Sequence, residues 1–216
     1  LGAFDLTGEW KYIMNQDNPV FSEPGYDDST WDVYPIPRYW NDYINTYAGI
    51  AWFRLRLYNN HQKSLGLYIY RANTAYELYI NGEKAIVCGK PGINKQSTQP
   101  QIGEKVVPLP RTPVITIAWR VANFHDPLGG PGSSPIIGKL EKINQSIWNK
   151  NFYNIIVIGF TFMIAVYHFI LWLARRKDYA SLFLAFCALS ACIREIACQG
   201  FLERFFPGIP LFSLHW

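Results

Sequence analysis

Asn123, His125 and Asp126 are the residues of this chain best placed to bind a ligand. They follow an alternating apolar segment and open a loop that continues through Pro127-Leu128-Gly129-Gly130-Pro131-Gly132. Amide, imidazole and carboxylate together supply donors and acceptors for a polyhydroxylated molecule, and loops at the rim of a rigid scaffold are where such groups gather. The same residue types also make a polar turn, in which Asn123 and Asp126 bond nearby backbone. Trp40, Tyr47 and Trp52 carry flat apolar faces that can stack on a pyranose ring, and they suit a protein core equally well. Asp27 and Asp28 can ligate calcium, but Asp-Asp-Ser ahead of Trp31 reads first as a helix or turn cap. No nucleophile motif accompanies His125-Asp126, and Glu9, Glu23, Glu77 and Glu83 are too scattered to define an acid/base pair. No catalytic residue, metal or cofactor is expected.

The elements that must position these residues are strands. In 51–57, Phe53, Leu55 and Leu57 face one way and Trp52, Arg54 and Arg56 the other, the pattern of a half-buried strand. Segments 64–70 and 114–121 repeat it, the first with Leu65, Leu67 and Ile69, the second with Ile115, Ile117, Trp119 and Val121. Asn81-Gly82 between 76–80 and 83–88 supplies the two positive-φ positions of a type I′ turn and predicts a hairpin. Further strands are expected at 10–14 and 106–109. Seven or eight short strands within about 140 residues predict an all-β sandwich or jelly roll, with no helical segment long enough for an α/β fold.

Near residue 150 the chain changes character. From Asn151 to Ala174 there is no Asp, Glu, Lys or Arg, and residues 155–174 would span about 30 Å as a helix, one hydrocarbon thickness. A second apolar segment covers about 179–202, and a third begins near 211 after Pro207-Gly208-Ile209-Pro210. The turn Arg175-Arg176-Lys177-Asp178 reads as cytoplasmic, which puts the β domain outside. Residues 139–150 form a short polar connector ending near Trp148, an aromatic of the kind found at membrane interfaces. His168, Arg194 and Glu195 are polar within apolar segments and so are candidate functional groups of the membrane part. His168 also suits a packed helix contact, and Arg194 and Glu195 also suit snorkelling; being adjacent, they point about 100° apart and are not obviously paired. The net charge of +4 comes without a basic block, so nucleic acid is not an expected partner. Only Cys88 lies in the first part, while Cys187, Cys192 and Cys198 lie in the second apolar segment, so the β domain has no disulfide framework.

Several motifs occur in a telling order. Leu6-Thr7-Gly8-Glu9-Trp10, Tyr26-Asp27-Asp28-Ser29-Thr30-Trp31, Pro35-Ile36-Pro37-Arg38-Tyr39-Trp40, Gly49-Ile50-Ala51-Trp52-Phe53-Arg54, Tyr79-Ile80-Asn81-Gly82 and Val121-Ala122-Asn123-Phe124-His125-Asp126 succeed one another over residues 5–138. Together they resemble the jelly-roll sugar-binding domain of family 2 glycoside hydrolases. That family keeps its catalytic carboxylates on a separate barrel domain, so the resemblance implies binding without hydrolysis. Tyr167-His168-Phe169, Arg175-Arg176-Lys177, the 182–187 run and Ile193-Arg194 resemble the start of the helical region of bacterial seven-transmembrane receptors with diverse intracellular signalling modules, in which such jelly rolls occur outside the membrane.

The resulting expectation has two domains. Residues 1–146 form a galactose-binding-like jelly roll that binds a small ligand, of carbohydrate class, through Trp40, Trp52, Asn123, His125 and Asp126. Residues 147–216 begin a transmembrane bundle, with spans at about 152–174 and 179–202, in the bacterial inner membrane. The chain opens at Leu1 and stops at Trp216 as a third apolar segment starts, so it is expected to be a fragment, with an output module such as a nucleotide cyclase or histidine kinase beyond it. Expected partners are the ligand, the lipid bilayer and a second copy held through that module. The alternative is a membrane-anchored carbohydrate-binding module that transduces nothing.

Overall fold

The computed structural model of the chain describes residues 3–59, 63–101 and 103–198. It divides between Asn144 and Gln145 into two compact units. The third apolar segment near 211, and the end of the second at 202, lie outside the described residues.

The first unit is a sandwich of two antiparallel sheets. Its strands are β1 (Phe4–Asp5), β2 (Gly8–Met14), β3 (Asp32–Ile36), β4 (Gly49–Tyr58), β5 (Leu65–Ile69), β6 (Ala75–Ile80), β7 (Glu83–Cys88), β8 (Lys105–Pro108), β9 (Val114–Asn123) and β10 (Ile136–Lys139). One sheet runs β1-β10-β5-β8 and the other β3-β2-β4-β9-β6-β7. All the predicted strands form. Asn81 and Gly82 hold φ of 51° and 87° between β6 and β7, the two left-handed positions that the turn requires. Strands β1, β3 and β10 add to the expected set; each is short, and β3 contains Pro35, so none carries a clear alternation of its own.

Alternation along the central strands sends Phe53, Tyr76, Leu78, Ile115, Ile117, Trp119 and Val121 into one core, where Leu67 and Ile69 of the opposite sheet meet them. The expected half-buried strand at β4 is corrected here: its first six residues are buried on both faces. Segment 15–31 folds over the outer face, where Phe21, Trp31, Trp52 and Ala118 make a second apolar cluster. Arg54 lies under it, 1% exposed. Its Nε donates to Asp28 Oδ2 at 2.8 Å, Nη2 donates to the Glu23 carbonyl at 3.1 Å, and Nη1 donates to the Phe21 carbonyl. A strand-facing arginine is tolerated because the covering loop turns its own carbonyls and a carboxylate inward to meet it.

After β10 the chain enters α2 (Leu140–Ala174) directly, so the supposed connector at 139–150 is strand end and helix. Leu, Glu, Lys, Gln and Ile are adequate helix formers, and that stretch holds no Gly or Pro to stop the helix. α2 and α3 (Tyr179–Cys198) are both long and apolar enough to cross a membrane by length and composition. A short α1 (Trp40–Ile44) sits between β3 and β4 and ends at Asn45, whose left-handed φ of 52° terminates it.

Candidate ligand-binding site

The loop after β9 is pinned from several sides. Asn123, fully buried, donates from Nδ2 to the carbonyls of Tyr47 at 2.6 Å and Asp126 at 2.7 Å. Its Oδ1 accepts the Asp126 backbone N–H at 3.1 Å. Asp126 Oδ1 in turn accepts the Leu128 N–H at 2.7 Å. Both side chains therefore hold their own turn together, as Asn and Asp do where an irregular segment must satisfy its backbone.

α1 buttresses the same loop. Asn41 Nδ2 donates to the Pro127 carbonyl at 2.7 Å, and the Trp40 N–H donates to the Gly129 carbonyl at 2.8 Å. The two glycines are needed for this approach. A Cβ on Gly130, whose φ is +93°, would lie 2.5 Å from Trp40 Nε1, and one on Gly129 would lie 2.2 Å from the Tyr47 carbonyl oxygen.

Neither tryptophan keeps a ring face open to solvent. Trp40 is closed off within the main core, and its Nε1 is buried with no partner. Trp52 lies in the outer cluster, 5.5 Å from the Tyr79 ring, and its Nε1 donates to Asp17 Oδ1 at 3.1 Å. Stacking on a sugar needs one uncovered ring face, which the loop over Trp40 and segment 15–31 over Trp52 deny them. Tyr47, beside Asn123, is 53% exposed.

His125 is partly exposed at the loop's edge, and its Nε2 lies 3.2 Å from the carbonyls of both Lys95 and Thr98. Carbonyl oxygens only accept, so Nε2 carries the hydrogen and Nδ1 is the ring's second polar position. Arg71, which nothing local in the sequence marks, joins the loop. Its Nε donates to Asn73 Oδ1 at 2.8 Å, its Nη2 lies 3.6 Å from Asp126 Oδ2, and its carbonyl accepts from Ser133 Oγ at 2.6 Å. Arg71 and His125 thus place side chains at a turn whose inner members are Asn123 and Asp126, and the exposed Tyr47 meets it through its carbonyl.

A second polar cluster occupies the outer face of the larger sheet. Arg120 donates to Asp17 Oδ2 at 2.6 Å and to Glu77 Oε2 at 2.9 Å, and Lys84 Nζ lies 2.6 Å from Glu77 Oε1. Burial pushes both carboxyls up, but donors outweigh it: Arg120 and Trp52 hold Asp17 below its ordinary value, and Lys84, Tyr79 and Arg120 do the same for Glu77. This is a satisfied ion-pair network, with every carboxylate matched to a cation.

In the second unit, His168 Nδ1 and Trp172 Nε1 are buried without partners, one helical turn apart. Arg194 and Glu195 pair, Nη2 to Oε1 at 2.6 Å, although adjacent positions on a helix point apart. Two long flexible side chains bridge what the backbone directions leave apart.

No family model matches the chain, and no curated protein matches it. Solved structures resemble the sandwich. A β-glucuronidase from Bacteroides uniformis superposes with a TM-score of 0.51 at 18% identity, over 63% of this chain and 17% of that one. A calcium-binding mutant of Bacteroides uniformis β-glucuronidase 2 does so with a TM-score of 0.50 at 18% identity, over 63% of this chain and 18% of that one. The chain spans less than a fifth of the length of these neighbours, and what it shares with them is the fold of the β-sandwich.

Proposed function

We propose that this chain is the ligand-sensing part of a bacterial multi-pass membrane receptor. Residues 1–146 are then a periplasmic jelly roll that binds a carbohydrate, and residues 147–216 begin a helical bundle in the inner membrane, whose state an output module beyond residue 216 reads. The observation that carries this reading is the pairing of a sandwich shared with sugar hydrolases with two helices whose apolar side chains face outward. Phe160 is 68% exposed and Phe183 69% exposed, which water does not favour and hydrocarbon does. Trp148 and Phe152 stack with ring centroids 5.4 Å apart near the start of the uncharged segment, a position suited to headgroups.

Sugar contact belongs to the accessible groups at the β9 loop. Tyr47 offers a ring face, Arg71 a guanidinium edge and His125 its Nδ1, while Asn123 and Asp126 keep the loop in shape and Trp40 supports it from the core. Trp52 holds Asp17 in place and so acts at a distance from the ligand. The test is calorimetric titration of the whole chain, in lipid nanodiscs, with a panel of neutral and acidic sugars. Arg71→Ala and His125→Ala should each weaken binding about tenfold or more, as expected for loss of a hydrogen bond to a charged or polar partner, with little change in melting temperature for His125→Ala and a lowered one for Arg71→Ala, which also leaves Asp126 without its cation. Silence from every sugar would remove the carbohydrate reading.

A further inference from the structure

A groove of about 300 Å³ runs between α2 and α3. Ala165 and Ala185, each 6% exposed, form its floor, and Phe162, Phe169, Leu182 and Phe186 rise beside them. Every residue lining it is apolar, so an occupant there is hydrocarbon.

Beyond one end of the groove lies the cationic turn. Arg175 follows Phe169 by six residues, about 9 Å along the helix. Arg175, Arg176 and Lys177 are all exposed, against one carboxylate at Asp178. Its Oδ2 accepts from Ser181 Oγ at 2.6 Å, and the Ser181 hydrogen bonds hold it below its ordinary pKa, so it stays charged beside Arg175 and the turn keeps a cationic excess. The Arg176 guanidinium lies 4.6 Å over the Trp172 ring, a stacking that leaves its N–H edge available to an anion.

We propose that groove and turn together form one site for an anionic phospholipid, with an acyl chain over Ala165 and Ala185 and the headgroup phosphate at Arg175, Arg176 and Lys177. The inference rests on the membrane reading of these helices. Charge complementarity selects the lipid: a zwitterionic headgroup offers the same phosphate but cancels it with its own cation, whereas phosphatidylglycerol leaves the phosphate charge for the turn.

The whole chain is reconstituted with equal parts of palmitoyl-oleoyl phosphatidylglycerol and phosphatidylcholine, extracted gently and weighed by native mass spectrometry. One retained phosphatidylglycerol, enriched on the order of tenfold over phosphatidylcholine, is expected. Ala185→Phe fills the floor and should abolish the adduct. The triple variant Arg175→Gln, Arg176→Gln and Lys177→Gln keeps the groove and should lose the preference, so the proposal stays testable if Ala185→Phe does not fold. Equal retention of both lipids, an adduct unchanged in both variants, or a lipid-free dimer with the groove closed by a second copy would overturn the site. Release of the chain by alkaline carbonate would instead overturn the membrane reading beneath it.

Discussion

The sandwich and the two long helices solve opposite problems with similar residues. In the sandwich, Trp10, Phe53, Tyr76 and Trp119 are essentially closed to solvent, and Arg54 is drawn inside only with carbonyls and a carboxylate around it. In the helices the backbone bonds are closed within each element, and Phe160, Met163, Phe183 and Phe186 face outward. Aromatic content alone therefore says little about burial. What decides it is whether an element satisfies its own backbone: a strand needs neighbours and brings its side chains into a shared core, while a helix can present apolar groups to any solvent that accepts them.

That contrast can be broken most severely in the sandwich. Trp119→Ala removes a side chain shared by several core rings and should lower the sandwich's stability by about 3–5 kcal/mol, read by denaturant unfolding. Arg54→Ala should cost a comparable amount, since it takes the buried donor from the Phe21 and Glu23 carbonyls and leaves Asp28 only its 3.4 Å contact with Arg56; Arg54→Lys recovers only part of it, because an ammonium cannot fork across three acceptors. A melting curve unchanged in Arg54→Ala would show that segment 15–31 is held by its aromatics alone.

On the helix side, Phe160→Arg should leave the sandwich's unfolding transition in place and make membrane insertion less favourable by about 2.5–3.5 kcal/mol, measured as the fraction of chain in the membrane pellet. Loss of sandwich stability in that variant would mean the helix face is covered by protein. Gly130→Ala should cost about 1–3 kcal/mol, because a left-handed position and contact with Trp40 must both give way.

The smallest effect is expected with acid. Asp17 and Glu77 have ordinary pKa values of 3.8 and 4.5 and lower ones in the fold. Depressed carboxylates stabilise the native state fully above their unfolded values and lose that contribution as pH falls through the folded ones, so stability should decline below about pH 4.5. Arg120→Met removes the shared donor and should flatten this acid limb in denaturation curves collected across pH 2–6. An unaltered limb would place the acid sensitivity outside this network.

Much of the fold was legible because its signals are local. Strand alternation at 51–57 and 114–121, Asn81-Gly82 in the turn, and the uncharged stretch after Lys150 each depend on residues close in sequence. The candidate site was legible only in outline. Asn123, His125 and Asp126 do lie together, but their exposure, and the arrival of Arg71 and Tyr47 beside them, depend on segments far apart in the chain. Trp40 and Trp52 show the same limit from the other side. Their type allowed either a binding platform or a core, and the choice was made by a glycine loop and by segment 15–31 folding over them.

By itself, then, the order of residues determined which segments alternate, which turn, and which are too apolar to be covered by their own polar groups, since periodicity and composition act over a few residues. Tertiary structure alone decided which face of each sheet closes, which polar side chain is matched and which stays at the rim, because burial is a property of what other segments place against a residue rather than of the residue itself.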